Sequence, residues 1–376
     1  NFQSEYFISA EQNRPVNIYN LLRSENRVNI WSNTLNYNTT INEIHSINAL
    51  LGHESQKLDF NNVLASRSAI PQGVDNPTLG AGAVDTSTNS GTISTSSLLS
   101  YFGRLNYNFD DRYLFTGTYR IDGSSRFGEN NRFAQFPSLA LAWNLHNEKF
   151  YNIDLINQLK FRIGWGETGN QNIPNSAIFS TLSTSENYIL GNGETTAVGL
   201  SPLRPGNPDL KWETTTTTNI GLDLALLNNV VTFTADYFIK RTSDMLLESP
   251  ILQTSGYGLN PTINAGEIEN KGLEFSLNYK KRINDFFFNI GGNISFIDNK
   301  VLSLASKGSV ISTGTTGNGF SNISRTEAGS PIASFYGLEA IGIFQNQDEI
   351  DNYPSLPGTK PGDVKYKNVD DSDNVI

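Results

Sequence analysis

The chain has 376 residues, with 27 Lys+Arg against 37 Asp+Glu, and its formal net charge is −10. Charged residues make up only 17% and aromatic residues 11%, a composition that argues against a disordered chain. An acidic balance without basic runs argues against nucleic-acid binding, and no apolar run approaches the ~18 residues of a membrane helix. The absence of cysteine excludes disulfides, thiolate metal sites and cysteine nucleophiles.

Alternation of apolar and polar residues with period 2 dominates the chain and predicts an all-β fold. In the run after Ser100, for example, Tyr101, Leu105 and Tyr107 share one face, and Arg104 and Asn106 share the other. Ten strands are expected: a weaker pair at about 27–37 and 44–53, then 100–109, 113–122, 138–145, 159–166, 213–226, 231–240, 273–280 and 288–296. Most are near the ~10 residues that cross a bilayer when tilted.

The connections between these strands alternate in length. Short or moderate ones fall at 110–112, 146–157, 228–229 and 282–285, and long ones at 122–136, 167–211, 241–267 and from 298 to about 331. Short periplasmic turns and long extracellular loops are typical of an outer-membrane barrel. A soluble sandwich also alternates, and it remains the competing fold. Because plugged outer-membrane transporters have 22 strands, residues 1–376 are expected to form only part of a large antiparallel transmembrane β-barrel.

Aromatic residues stand where a membrane girdle is expected. Phe109 and Tyr113 flank a short turn, and Trp143 approaches another. Trp165 and Trp212 enclose the long connection 167–211 and are predicted to mark the outer interface. By the same alternation, Leu141 and Leu222 are predicted to face lipid and Asn219 the lumen.

No pattern in the chain indicates catalysis, so the protein is predicted not to be an enzyme. The three histidines are scattered, and carboxylate pairs such as Asp110 and Asp111 are read as turn formers. At the C-terminus, oxygen side chains at alternate positions are typical of a Ca²⁺ loop, which would be formed by Asn368, Asp370, Ser372 and Asn374. Asp373 stands where such a loop has glycine, so a solvated acidic turn is the alternative.

The long connection is the predicted ligand-binding region, because segment 168–210 far exceeds the length that a hairpin needs. It offers amide donors and acceptors and one aromatic platform, which suit a neutral polar ligand. The candidate residues are Asn170, Gln171, Asn172, Asn175, Tyr188 and Asn192.

Several motifs carry a resemblance to a known family. They are YFGRLNY at 101–107, RIDGSSRFG at 120–128, GETGNQ at 166–171, NPDLKWE at 207–213, GEIENKGLE at 266–274, GIFQ at 342–345 and PGDVKY at 361–366. In these runs the chain resembles the SusC/RagA family of TonB-linked outer-membrane transporters of Bacteroidota. The motifs occur in family order and cover most of the chain from about residue 99, whereas residues before 97 match only loosely.

The resemblance implies a location in the outer membrane of a Gram-negative bacterium and active import of a nutrient, either a glycan or oligosaccharide or a peptide. It also implies a lid formed by a SusD-like surface lipoprotein, and energy from TonB acting through a plug and a TonB box that are expected outside residues 1–376. The alternative from another class is a secreted Ser/Thr/Asn-rich β-protein for adhesion or glycan binding.

Overall fold

The fold is known from a computed structural model that describes residues 2–6, 17–71, 77–184, 186–191, 195–315 and 321–368. Two compact units are present, Asn1–Asp298 and Asn299–Ile376. The expectation of one barrel portion over residues 1–376 stays a prediction. None of the helices in the described ranges is long and apolar enough to cross a bilayer.

The first unit is dominated by one antiparallel sheet of eleven strands, in the order β1-β2-β3-β4-β5-β6-β7-β12-β13-β16-β17. Nearest neighbours in the sheet follow one another along the chain, apart from the short strands inserted in two long connections. The strands are β1 Phe2–Tyr6, β2 Ile18–Ile41, β3 His45–Ser68, β4 Thr88–Phe109, β5 Tyr113–Ser124, β6 Phe133–Asn144, β7 Ile156–Asn170, β12 Glu213–Leu226, β13 Val231–Ser243, β16 Glu267–Ile283 and β17 Phe286–Ser303. The predicted all-β antiparallel fold is confirmed.

Three strands are far longer than their sequence pattern predicts. β2 and β3 each contain 24 residues and β4 contains 22, whereas about ten suffice to cross a membrane. The weak predicted strand at 27–37 lies inside β2, and the one at 44–53 lies inside β3 except for its first residue. Consecutive polar residues, such as Ser24–Arg27 in β2 and Asn61–Asn62 in β3, interrupt the hydrophobic alternation in the outer halves of these strands, although the backbone pairing continues.

Short turns join the strands at one end of the sheet, which we call the short-turn end. Among the described residues, four of these turns place non-glycine residues in the left-handed region. In two of them, Asp110 and Asp111 have φ of 52° and 51°, and Asn228 and Asn229 have φ of 58° and 64°. Asp and Asn tolerate this conformation because their short polar side chains hydrogen-bond locally. The prediction that the Asp110–Asp111 pair forms a turn is confirmed.

Longer connections gather at the opposite end, the long-loop end. Two contain paired short strands: β8 Thr181–Ser183, β9 Asn187–Leu190, β10 Thr195–Val198 and β11 Ser201–Arg204 follow β7, and β14 Leu246–Glu248 and β15 Thr262–Asn264 follow β13. Short 3₁₀ turns occur in these connections at Leu79–Ala81, Val84–Thr86, Glu129–Asn131 and Gln253–Ser255, and another, Leu145–Asn147, lies at the short-turn end. The alternation of connection length is confirmed, but the predicted loop 122–136 shrinks to 125–132 because β5 and β6 extend further.

One face of the sheet is apolar although it is open to solvent. Leu141, Ile163 and Ile220 pair in register across β6, β7 and β12, and they are 53%, 48% and 53% exposed. On β16 the apolar run on this face lies between Lys271 and Lys281, ten residues apart. At about 3.3 Å per residue and a tilt near 40°, this spacing covers about 25 Å of the membrane normal, the height of a lipid-facing band.

A ladder of rings crosses the apolar face near the short-turn end, where each ring stands beside the ring of the neighbouring strand. Centroid distances are 5.1 Å for His45–Phe109, 6.2 Å for Phe109–Tyr113, 6.4 Å for Tyr113–Trp143 and 6.4 Å for Trp143–Phe161. Such a row is typical of the aromatic girdle at a membrane interface. The predicted positions of Phe109, Tyr113 and Trp143 are confirmed.

The ring ladder is secured by Glu148, which lies in the connection after β6 and is 8% exposed. Its carboxylate accepts hydrogen bonds from the Tyr113 hydroxyl at 2.6 Å and from the Trp143 indole at 3.0 Å. Arg112 donates to the same carboxylate at 3.3 Å. The Tyr113 hydroxyl, the Trp143 indole and Arg112 together hold the pKa of Glu148 below its usual value.

A small buried core occupies the long-loop end. It consists of Phe127, Phe136, Ile173, Ala177, Leu210 and Trp212. Trp212 is only 6% exposed, and its indole donates to the carbonyl of Arg132 at 3.1 Å. The prediction that Trp212 marks the outer membrane interface is therefore wrong: its ring packs against Phe127 and Phe136, residues far away in sequence. Trp165 lies on the apolar face, 37% exposed and in register with Leu139 of β6, and its place at the outer interface stays a prediction.

The second unit contains small sheets and one short helix. Its strands are β18 Val310–Thr315, β19 Ser321–Glu327, β20 Ser334–Phe335, β21 Ala340–Ile343 and β22 Val364–Tyr366, and helix α1 spans Gln347–Asp351. Asn346 caps the helix by accepting a hydrogen bond from the backbone N–H of Glu349 at 2.9 Å. Phe344 is fully buried and contacts Tyr353, over which Lys365 places its ammonium at 4.3 Å.

Candidate functional site

The other face of the main sheet is polar, and its side chains hydrogen-bond from strand to strand. Asn48 donates to Asn38, Asn106 donates to Asn48 at 2.9 Å, and Thr116 donates to Asn106 at 2.9 Å. These four residues lie in register on β2, β3, β4 and β5. Such a wall of amides and hydroxyls suits a water-filled lumen, because each group finds a partner without losing access to solvent.

Charged residues continue this polar face on β7, β12 and β13. Arg162 donates through Nε and Nη2 to both carboxylate oxygens of Asp223, at 2.8 and 2.9 Å, and through Nη2 to Asp236 at 3.2 Å. Gly221 lies beneath this network, and a Cβ there would stand 2.7 Å from the Arg162 guanidinium carbon. The missing side chain therefore leaves the room in which the ion pairs form. Asn219 lines the same polar face beside Arg162, as predicted. On the apolar face, Leu141 pairs with Ile163 and Leu222 pairs with Phe161.

A groove of about 810 Å³ opens at the long-loop end. One wall is the outward extension of β4 with Leu58 of β3, and the other is segment 172–179, which follows β7. Asn175 joins the two walls, because its side-chain amide donates to the carbonyl of Thr95 at 3.0 Å. The groove residues are Leu58, Thr92, Ile93, Ser94, Thr95, Ser96, Arg126, Asn172, Ile173, Pro174, Asn175, Ser176 and Phe179.

Only some of the predicted ligand residues line the groove. Asn172 and Asn175 line the groove. Asn170 and Gln171 precede it and serve the loop backbone: the Asn170 side chain accepts from the N–H of Asn172 at 3.0 Å, and the carbonyl of Gln171 accepts from Arg126. Tyr188 lies on β9, 52% exposed, outside the lining of the groove.

Asn192 lies outside the described residues. The assignment of all six residues as ligand contacts stays a prediction. For Asn170 the structure adds a specific alternative, since its side-chain amide also donates to Glu213 at 3.1 Å across the strands that flank the loop.

Sequence reasoning missed several groove residues, namely Arg126, Ser94, Ser96 and Phe179. Arg126 belongs to the RIDGSSRFG run. That run contributed to the family resemblance, but no role was predicted for Arg126. Ser94 and Ser96 lie on the part of β4 that the alternation did not predict. Only the pairing of β4 with β3, Ser94 opposite Phe60 and Ser96 opposite Leu58, shows that this serine-rich stretch is a wall.

The predicted calcium loop falls largely beyond the described part of the chain. Asp370, Ser372 and Asn374 lie outside the described residues, and the backbone N–H of Asn368 donates to the Tyr353 hydroxyl at 3.1 Å. Within the described ranges, no group of three or more His, Cys, Asp or Glu side chains is placed to hold a metal ion. A calcium site at these four residues stays a prediction.

Known proteins resemble the chain over most of its length. The family model described as TonB dependent receptor-like, beta-barrel matches residues 1–373. TonB-dependent receptor P3 of Formosa agariphila is 33% identical over 350 residues, which are 91% of this chain and 34% of that protein. TonB-dependent receptor SusC of Bacteroides thetaiotaomicron is 35% identical over 215 residues, 56% of this chain and 21% of SusC.

Among solved structures, the RagAB peptide transporter superposes with a TM-score of 0.75 at 27% identity, covering 90% of this chain and 36% of the transporter chain. The matched part of the chain thus covers about a third of receptor P3 and of the RagAB transporter chain, and about a fifth of SusC. Since the matched family is one of transport receptors, the prediction that the chain is not an enzyme is confirmed. This chain belongs to the TonB-dependent receptor-like β-barrel family, with SusC and RagA among its relatives, and its place is the outer membrane of a Gram-negative bacterium.

Proposed function

We propose that the chain is the barrel portion of a SusC-like transporter that actively imports a polar nutrient, a glycan or oligosaccharide or a peptide, across the outer membrane. The observation that carries this function is the separation of the two faces of one continuous sheet. The outer face is an apolar band with a ring ladder near the short-turn end, and the inner face is a polar wall that leads to a groove at the long-loop end.

The alternative, a secreted adhesion or glycan-binding protein, fits this arrangement poorly. Such a protein would leave Leu139, Leu141 and Ile163, each about half exposed, in water together with the ring ladder. Large contiguous apolar surfaces on proteins mark contact with a membrane or a partner. A lipid bilayer covers the whole band at once, whereas a water-soluble monomer covers none of it.

The proposed partners are a SusD-like surface lipoprotein at the long-loop end and TonB, which acts through a plug outside residues 1–376. The two connections that would meet such a lid are joined to each other. Arg204 pairs with Glu248 at 3.0 Å, Lys211 pairs with Asp244 at 2.8 Å, and the N–H of Leu259 donates to the carbonyl of Leu203 at 2.7 Å. A partner that binds one connection therefore also engages the other.

The structure indicates how this loop is best shortened to test the proposal. Replacing residues 173–205 would remove Ile173 and Ala177 from the buried core. Ser180 and Gly206 are already close, since the N–H of Gly206 donates to the Ser180 hydroxyl at 3.1 Å. A two-residue Gly-Ser bridge in place of residues 181–204 removes β8–β11 and retains both the core and the groove.

Cells that express the complete transporter, its shortened form or no transporter are compared for energised uptake of labelled maltohexaose and of a labelled tryptic peptide mixture. Co-purification of a surface lipoprotein is the second readout. We expect the shortened form to assemble and to lose uptake, lipoprotein capture or both. Glu248→Gln, which breaks the Arg204 ion pair without shortening the loop, is the control. Uptake that is no higher with the complete transporter than without it, for both probes, would contradict the proposed function.

A further inference from the structure

The groove at the long-loop end is electrostatically unusual for this chain. The whole protein has a net charge of −10, yet among the described residues that line the groove Arg126 is the only charged one. The remaining lining consists of hydroxyls, the amides of Asn172 and Asn175, and a few apolar side chains. An anionic group that enters the groove therefore meets one positive charge and no carboxylate among the described lining residues.

Arg126 is held in place by contacts that occupy only one edge of its guanidinium. Nη1 donates to the carbonyls of Gln171 at 3.3 Å and of Ile173 at 3.2 Å. The backbone N–H of Arg126 donates to the Ser124 hydroxyl at 3.1 Å, and its neighbour Ser125 donates to the carbonyl of Ser97 at 3.0 Å. The side chain thus projects from an anchored backbone, and its orientation is set before any ligand binds.

The opposite edge of the guanidinium, formed by Nε and Nη2, has no protein partner within the described part of the chain. This is the edge through which Arg162 grips both oxygens of Asp223 at 2.8 and 2.9 Å elsewhere on the sheet. Two parallel N–H donors match the two oxygens of a carboxylate, and such bidentate pairs are the stronger charge-assisted hydrogen bonds. The free edge of Arg126 is therefore equipped to bind a carboxylate.

We propose that the groove is a binding site for a ligand that bears a carboxylate on an otherwise neutral polar chain, with the Nε–Nη2 edge of Arg126 binding the carboxylate. Ser94, Ser96 and Asn172 offer hydrogen bonds to the neutral part of the ligand, and Phe179, which is 63% exposed, offers a ring on which it stacks. A uronate-terminated oligosaccharide and the free C-terminus of a peptide both present this chemistry. The inference rests on the proposed import function, of which it specifies the cargo.

Binding to the complete transporter in detergent is measured by calorimetry with two matched pairs of probes. The first pair is a glucuronate-terminated tetrasaccharide and its methyl ester, and the second is an alanine-rich pentapeptide with a free or an amidated C-terminus. Maltohexaose serves as the neutral reference. The variants are Arg126→Gln, Arg126→Lys and Arg132→Gln. The last removes the same charge from the same loop at an exposed position outside the groove.

We expect the acid of at least one pair to bind about tenfold more tightly than its neutral partner, and added salt to reduce this preference. Arg126→Gln should abolish the preference, Arg126→Lys should retain part of it, and Arg132→Gln should leave it intact. The pair that shows the preference identifies the source of the carboxylate. Heat-modifiable gel mobility verifies that each variant is folded.

Three results would overturn the inference. They are the absence of a preference in both pairs, an equal loss of charged and neutral ligands in Arg126→Gln, and an equal effect of Arg132→Gln. If energised uptake of neutral probes persists in any of these cases, only the inference fails and the import function stands. If the complete transporter supports no energised uptake at all, the proposed function fails instead.

Discussion

Arginine substitutions at neighbouring positions of β6 test the assignment of the two faces. Leu139 and Leu141 lie on the apolar face, and Ala140 between them lies on the polar face opposite Thr116. Leu139 is four residues from Trp143 of the ring ladder, which at about 3.3 Å per residue and a tilt near 40° is about 10 Å along the membrane normal. Half of a band about 25 Å tall is about 12 Å, so Leu139 lies close to the midplane. Leu141 lies about halfway between the midplane and the ring ladder.

The expected costs follow from this depth. Leu139→Arg should reduce the free energy of unfolding by about 2–4 kcal/mol and Leu141→Arg by about 1–2 kcal/mol, because a charge on the lipid face costs most at the midplane. Ala140→Arg should change it by no more than about 0.5 kcal/mol, since its side chain enters the aqueous lumen. The measurement is denaturant unfolding of the complete transporter in lipid vesicles, with the folded fraction read from heat-modifiable gel mobility. Equal costs at the three positions, or the largest cost at Ala140, would refute the assignment of the faces.

Three further predictions concern side chains that the structure places together. Hydrogen bonds from Tyr113 and Trp143 and the pairing with Arg112 lower the pKa of Glu148 in the folded protein. The stability that these contacts confer is therefore present above the unfolded pKa, near 4.5, and is lost as the pH falls through the lower folded pKa. Acidification should therefore lower the melting temperature of the wild type more than that of Glu148→Gln, and parallel pH profiles would contradict this role. Gly221→Ala should destabilise the barrel by about 1–3 kcal/mol, because the new Cβ would lie 2.6 Å from Oδ1 of Asp236. Gly292→Ala, where nothing lies within 4 Å in the described structure, is its control in the same unfolding assay. Trp212→Ala should reduce the free energy of unfolding by about 3–5 kcal/mol, because it empties the core at the long-loop end. This loss should be well above that of Trp165→Ala. If melting experiments show the larger loss for Trp165→Ala, Trp212 belongs at the membrane interface after all.

The membrane-crossing part of the sheet could be predicted from the sequence, because the alternation that reveals it has a local physical cause. A strand between lipid and a polar lumen has to alternate, so the faces of β5, β6, β7 and β12 follow from residue parity alone. The short turns were readable for a similar reason, since Asp110–Asp111 and Asn228–Asn229 tolerate the left-handed conformation that these turns require.

Beyond the membrane, the alternation of apolar and polar residues no longer identifies the strands. The outer halves of β2 and β3 have no lipid to face, so their residues do not alternate, and only backbone pairing over 24 residues reveals the strands. Trp212 illustrates the same limit, because the pattern of an interfacial tryptophan and that of a buried loop tryptophan are identical in sequence.

The groove was decided by the tertiary structure alone. Asn172 and Asn175 stood out in the sequence as polar loop residues, but their wall on β4 lies 80 residues from Asn175 at the Thr95 contact. Arg126 reaches the carbonyl of Ile173 across 47 residues. Contacts of this range depend on where whole strands end and how their loops fold back, and the local pattern of apolar and polar residues does not encode them.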